Sequence, residues 1–397
     1  MRQIIVLSVA LVVSLVGAYL TWTDDSEEVV SDDAVAVYSA SEKDLQKLTW
    51  SSKSLDVTLE KRHDDHGDYL WVTTKETREP PKRPEPPKPP GAEEDDEDGD
   101  ESAVEPGDEG AEDAGEGEDA TSADEPAPEP IVTESAFLGN DKANELWKAF
   151  APLEAPRRLE RAQVDLVKFG FEDGPAPAPK DDADAEDDED HEHPGLTKKE
   201  VEKATIEVVR GSGTVELAVG GETYGGKHRY VKSGEDVFLV DKRETLDPLQ
   251  GAARNLVERS LFPFEEADIE QVDVSLPDGT AYAFVQQNRD DRAKAYWARS
   301  EALDAQDETA GTWLGQVFKL RLRDYVPAEE APTELTPVLS YTVKGKGETW
   351  PVEVLKGTDL AGKTTWYAKS AYDRSLVTLS EGLVTNVVEN VDSLQSK

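Results

Sequence analysis

The stretch that decides how the chain folds is TIEVVRGSGTVELAVGGETYGGKHRYVKSGEDVFLVD, residues 205–241. Residues 205–210, 215–219, 228–232 and 237–241 are rich in β-branched and aromatic residues and have the lengths of strands. Gly211-Ser212-Gly213, the glycines between 220 and 226, and Ser233-Gly234 separate them and supply the backbone freedom of tight turns. Four strands joined so closely read as an antiparallel meander. Asp247-Pro248 then offers an N-cap and a proline at the first helical position, with Ala253, Leu256, Val257 and Leu261 as the buried stripe of a helix. Phe262-Pro263-Phe264 ends that helix.

Three other stretches read in the same way. In the first, Leu55, Val57 and Leu59 alternate with polar residues, and Tyr69-Leu70-Trp71-Val72 forms the return strand of a hairpin. Its helix starts at Asn140 or Asp141 and carries Leu146, Trp147 and Phe150 on one face. In the third, Val272 and Val274 lead into a turn at Pro277-Asp278-Gly279, strands follow at 282–285 and 295–297, and the helix presents Trp313, Leu314, Val317 and Phe318. In the fourth, residues 338–343 and 350–355 flank Lys344-Gly345-Lys346-Gly347, with further strands at 366–369 and 376–379. The last helix buries Leu383, Val387, Val391 and Leu394. The expected class is therefore α+β, built of repeated units of antiparallel strands each followed by a short amphipathic helix. The expected boundaries are a membrane anchor at 1–23, a tether at 24–44, a first pair of units at 45–264 and a second pair at 265–397. Core packing accounts for most of the eight tryptophans.

Charge is unevenly spread. The net charge is −43, and the hydrophobic fraction of 37% is low for a globular chain. Yet residues 93–129 hold 19 acidic side chains and no Lys or Arg, and residues 181–192 hold another 9. These tracts, within insertions at 80–132 and 174–196, read as solvated disordered loops, and the rest of the chain has ordinary patterning. So acidic a surface repels phosphates, which excludes nucleic acid as a partner. The absence of cysteine excludes disulfides, thiolate metal sites and a cysteine nucleophile.

Arg2 and Asp24 bracket 21 uncharged residues, 3–23. A helix of this length spans about 30 Å, the thickness of a bilayer core. Arg2 precedes it, and Asp24, Asp25, Glu27 and Glu28 follow, so the positive-inside rule leaves only the N-terminus in the cytoplasm. Residues 4–22 are thus expected to cross an inner membrane once, with the bulk of the chain periplasmic. A cleaved signal is the competing reading, with Val16-Gly17-Ala18 as a processing site before Tyr19. Both export the body.

Several patterns together resemble one family. They are residues 141–152 (DKANELWKAFAP), Phe169-Gly170-Phe171 with prolines beyond it, residues 215–230 (VELAVGGETYGGKHRY), residues 237–241 (VFLVD), and Tyr296-Trp297 followed by the helix at Thr312-Trp313-Leu314. Over about residues 45–326 the chain resembles domain of unknown function 4340, found in bacterial envelope proteins. The resemblance implies an N-terminal membrane helix and association with gliding-type ABC exporters, and it implies no enzyme activity or cofactor.

Candidate chemistry is sparse. His63-Asp64-Asp65-His66 has the residue types of a metal site, and a solvated hairpin turn is the simpler account. His191 and His193 lie among acidic residues that would hold a divalent cation only weakly. Residues 94–99 with Glu105 approach a calcium-loop pattern, as any tract this acidic will by composition. The glycines at 220–226 join strand to strand and lack the helix N-terminus of a phosphate loop. No nucleophile elbow, H-E-x-x-H or P-loop occurs. The sequence therefore reads as an anchored, non-catalytic binding or accessory protein, and the family resemblance implies a place beside an ABC-type permease. The alternative is an extracytoplasmic hydrolase whose carboxylates converge only in the fold, a pair that no local pattern would reveal.

Overall fold

A computed structural model describes residues 34–80, 130–160, 164–172 and 203–395. The apolar segment 1–23, residues 81–129 of the first acidic insertion, and residues 173–202, which include the second insertion with His191 and His193, lie outside them. Among the described residues no helix is long and apolar enough to cross a membrane.

The strands run in the order β1 (Val35–Tyr38), β2 (Leu45–Ser52), β3 (Leu55–Asp64), β4 (Gly67–Arg78) and β5 (Ile131–Leu138) before helix α1 (Asp141–Ala149). Two short strands follow, β6 (Leu153–Ala155) and β7 (Arg157–Arg158), then β8 (Ala204–Arg210), β9 (Gly213–Glu222), β10 (His228–Ser233) and β11 (Asp236–Asp241). A π-helical turn (Lys242–Leu246) leads into α2 (Asp247–Gln250) and α3 (Ala252–Asn255). The remainder is β12 (Ile269–Ser275), β13 (Ala281–Gln287), β14 (Tyr296–Arg299), α4 (Glu308–Val317), β15 (Leu322–Tyr325), β16 (Leu335–Gly345), β17 (Glu348–Thr358), β18 (Thr364–Ser370), β19 (Leu376–Leu379) and α5 (Glu381–Glu389). The chain divides into two units, Met1–Glu76 with Glu134–Lys397, and Thr77–Thr133. The second is described only at residues 77–80 and 130–133.

These strands make a nine-stranded sheet, β5-β4-β3-β2-β8-β9-β10-β11-β7, an eight-stranded sheet, β14-β13-β12-β16-β17-β18-β19-β15, and the pair β1-β6. The two large sheets follow one plan. Each fuses two meanders through their first strands, β2 with β8 and β12 with β16, and each adds on its far edge a short strand from the segment after the first meander's helix, β7 or β15. Alternation decides the buried face: Ile206 and Val208 point in on β8, and Leu339, Tyr341 and Val343 on β16. On α1, Ala143, Leu146 and Trp147 are buried, and the Asn140 side chain caps the helix by accepting from the Ala143 amide at 3.1 Å. Burying Leu146 alone contributes roughly 1.5–3 kcal/mol.

The expectation of α+β units, each a strand set followed by a helix, is overturned. Among the described residues 48% are strand and 19% helix, mostly antiparallel in three sheets. What repeats is a pair of meanders fused into one sheet, because the strands of successive stretches hydrogen-bond to one another and the short helices cannot separate them into units. The helix expected after Asp247 shows why its apolar spacing misleads. It breaks into α2 and α3, each four residues long, around Gly251, and residues 256–264 continue outside any helix. Ala253, expected in its buried stripe, is exposed. The cap lies one turn earlier, at Asp241, whose carboxylate accepts from the Glu244 amide at 2.9 Å. Part of the expected tether forms β1, paired with β6.

Candidate functional site: a carboxyl pair in the seam between the sheets

Residues 256–264 run from α3 to the second sheet and tie both sheets to one another. On one side, the Asn140 amide donates to the Leu256 carbonyl at 3.0 Å and the Glu258 amide to the Leu138 carbonyl at 2.9 Å. On the other, the Leu322 amide donates to the Arg259 carbonyl at 3.0 Å, and the Ser370 hydroxyl to the Leu261 carbonyl at 2.7 Å. The Glu258 side chain faces this seam. Its Oε1 accepts from the amides of Arg259 (2.8 Å) and Ser260 (2.7 Å), and its Oε2 accepts from the Tyr372 hydroxyl (3.3 Å). The Tyr325 hydroxyl donates to the Glu258 carbonyl at 3.3 Å.

Tyr372 belongs to the turn between β18 and β19, which carries the second carboxyl. Asp373 is 0% exposed, and neither of its oxygens has a hydrogen-bond partner among the described residues. Burial, with the nearby Glu258 charge, pushes its carboxyl up to about 8, against the pull of Arg374. The buried Tyr341 hydroxyl also has no hydrogen-bond partner among the described residues. Burial first, and then the Asp373 charge, raise the Tyr341 and Tyr325 phenols above their ordinary range. Burial and then Glu258 do the same to Tyr372.

Arg374, next in the turn, has φ of 58°, in the left-handed region that a residue with a Cβ adopts only under constraint. The constraint is visible. Its Nε donates to Asp64 Oδ2 at 2.6 Å, its Nη2 to Asp64 Oδ1 at 3.3 Å and its Nη1 to the Tyr372 carbonyl at 2.5 Å. The guanidinium also lies 3.9 Å from the Tyr69 ring centroid. The hydrogen bond from Arg374 holds the Asp64 carboxyl below the usual carboxylate range. Rings line the same seam: His66 and Trp350 are 4.5 Å apart, Trp350 and Tyr372 5.6 Å, and Trp71 and Tyr325 6.2 Å.

The tetrad His63-Asp64-Asp65-His66 thus has a use that its composition did not suggest. His63 Nδ1 lies 2.7 Å from Asp68 Oδ1, Asp64 reaches Arg374, and His66 packs on Trp350. The two histidines face different partners, and among the described residues no three His, Asp or Glu side chains gather as a metal site. Glu258, Asp373 and Arg374 were missed. In a chain with 86 acidic residues no local signal marks two of them.

The glycine-rich stretch after β9 serves packing. The Gly221 amide donates to the Phe169 carbonyl at 2.7 Å, and a Cβ on Gly220 would stand 2.3 Å from that oxygen, so only glycine fits. Phe169 stacks on Tyr230 with centroids 4.1 Å apart, and both Arg229 Nε and Nη2 donate to the Gly220 carbonyl. A family model described as a domain of unknown function (DUF4340) matches residues 138–338, half of the chain. The chain belongs to that family. The DUF4340 segment contains the Phe169–Gly220 packing, Glu258 and Tyr325, and it stops short of Asp373 and Arg374. No curated protein and no solved structure matches the chain.

Proposed function

We propose that the protein is a membrane-anchored, extracytoplasmic binding or accessory module, held through residues 4–22 of an inner membrane and acting beside the permease of an ABC-type transporter. The carrying observation is where the buried acid lies. Asp373 is closed inside the seam, and neither of two cavities on the surface contains it. One, of about 300 Å³, lies on the outer face of β2, β8 and β9 among Thr49, Thr205, Glu207 and Glu216. The other, of about 480 Å³, lies beside α1 among Lys142, Glu145, Arg243 and Asp247. A general acid must come within hydrogen-bond reach of its substrate, directly or through one water, and a carboxyl with no exposure in the closed seam offers neither route. The Glu258–Asp373 pair does favour the hydrolase reading by its composition and by the raised titration of Asp373, and the closure of Asp373 is the argument against it. The anchor rests on the apolar run at 4–22 and the transporter on family resemblance.

Crosslinking in native membranes, with identification of the captured proteins, tests this. Reproducible capture of a permease or its ATP-hydrolysing subunit is expected, together with retention on membranes after a high-salt wash that is lost when residues 1–23 are deleted. Substrate turnover by the purified body without a captured partner overturns the accessory role, and a mature chain starting near Tyr19 overturns the anchor.

A further inference from the structure

We propose that Asp373 is a proton-controlled latch: protonated, it lets the seam between the two sheets stay closed, and its ionisation favours opening along residues 256–264 and the β18–β19 turn. The inference goes beyond the binding role and stands whatever the partner is.

Three structural facts carry it. First, a carboxyl with no exposure and no hydrogen-bond partner is tolerated when neutral, whereas its anion demands either water or a counter-charge. Second, no facing group supplies that charge. Glu258 repels it from the linker, while Tyr325 on β15, Tyr341 on β16 and Tyr372 in the same turn are neutral phenols. Arg374 is adjacent, but its guanidinium is directed to Asp64 on β3, to the Tyr372 carbonyl and over Tyr69. The outer charges are more distant in effect: Asp141 of α1 acts on Tyr372 and Arg321 on Tyr341. Third, the group sits where movement is local. The turn holds a left-handed Arg374, and a few hydrogen bonds at Glu258, Arg259 and Leu261 link the sheets here. The raised titration of Asp373 agrees with this geometry.

In the closed seam Asp373 keeps its proton until about pH 8, and in an opened one it ionises as an ordinary carboxyl near 3.8. The opening equilibrium constant should therefore rise by about tenfold per pH unit across that window and level off above it. Opening would uncover Trp350 and widen the exposure of the half-buried Tyr372 and Tyr325.

Hydrogen exchange followed by mass spectrometry on the full chain in detergent, from below the window to well above its upper end, reads this directly. After correction for intrinsic exchange, peptides holding the Glu258 and Leu322 amides should lose about tenfold in protection per pH unit, while the β8–β11 meander stays flat. Asp373→Asn should remove the slope. If that variant does not fold, Glu258→Gln, which removes the repelling charge and keeps an oxygen for the Arg259 and Ser260 amides, should move the levelling-off point to lower pH. A flat profile in the unaltered protein overturns the latch, as does an unchanged slope in Asp373→Asn or an unmoved plateau in Glu258→Gln.

Discussion

Two aspartates of the second sheet's half are buried to nearly the same extent and meet opposite fates. Asp307 is 5% exposed and well used: its Oδ1 accepts from the Ala310 amide at 3.0 Å as the N-cap of α4, and its Oδ2 accepts from Arg299 Nε at 2.9 Å. Arg299 in turn donates through Nη2 to the Leu394 carbonyl at 2.6 Å. Asp373, at 0% exposure, has none of this. Burial by itself therefore does not tell whether an acid holds a fold together. A buried anion is stabilising when hydrogen bonds and an opposite charge replace the water it has lost, and otherwise it is a group that folding must keep protonated.

The largest expected effect breaks the comparison at Asp373. Its folded titration lies above the unfolded one, so its contribution to stability is fully present below about pH 4 and is lost as pH rises towards about 8. Relative to Asp373→Asn, the unaltered protein should lose up to about 1.4 kcal/mol per pH unit across that window. Urea unfolding of both proteins at pH 5, 6, 7 and 8 measures the difference, and parallel curves would show that Asp373 ionises in place without penalty.

Asp307→Ala comes next. It removes a helix cap and leaves Arg299 without its carboxylate, for a loss of about 2–4 kcal/mol at neutral pH. A loss below about 1 kcal/mol would put this buried pair in the class of surface ion pairs and erase the contrast.

Asp64→Ala sharpens the comparison within the seam, because Asp64 is the carboxylate that Arg374 does reach. Removing it should cost about 1–2 kcal/mol and free the guanidinium to turn towards Asp373, which would lower the pH range of seam opening seen by hydrogen exchange. An unchanged range would mean that Arg374 stays fixed by Tyr69 and the Tyr372 carbonyl. The smallest effect belongs to His63→Ala at the exposed hairpin tip. Its urea midpoint should match that of the parent, whereas a clear shift would give the His63–Asp68 contact a structural weight its exposure does not suggest.

Legibility in the sequence followed the range of the interactions concerned. The strands of residues 205–241 appear as consecutive β8 to β11, because alternation and turn glycines act within a few residues. The Asn140 cap and the buried Leu146 and Trp147 of α1 were readable for the same reason. In β2 the buried residues are Leu45, Leu48 and Trp50, and a register shift between Leu45 and Lys47 breaks the alternation on which a reading of strands depends. That strand escaped notice although it joins the two meanders of its sheet.

By itself the sequence determined where most of the turns lie, that Leu55, Val57 and Leu59 alternate with polar residues, where the charge accumulates, and that residues 3–23 carry no charge. Only the tertiary structure decided that the meanders fuse into two sheets and not into strand–helix units, that the expected helix after Asp247 stops at Asn255, and that Asp64, Glu258, Asp373 and Arg374 meet in one seam. The physical reason is distance along the chain. Tyr372 bonds to Glu258 across 114 residues and Arg374 to Asp64 across 310. Contacts of that range leave no periodicity and no spacing for a local pattern to record.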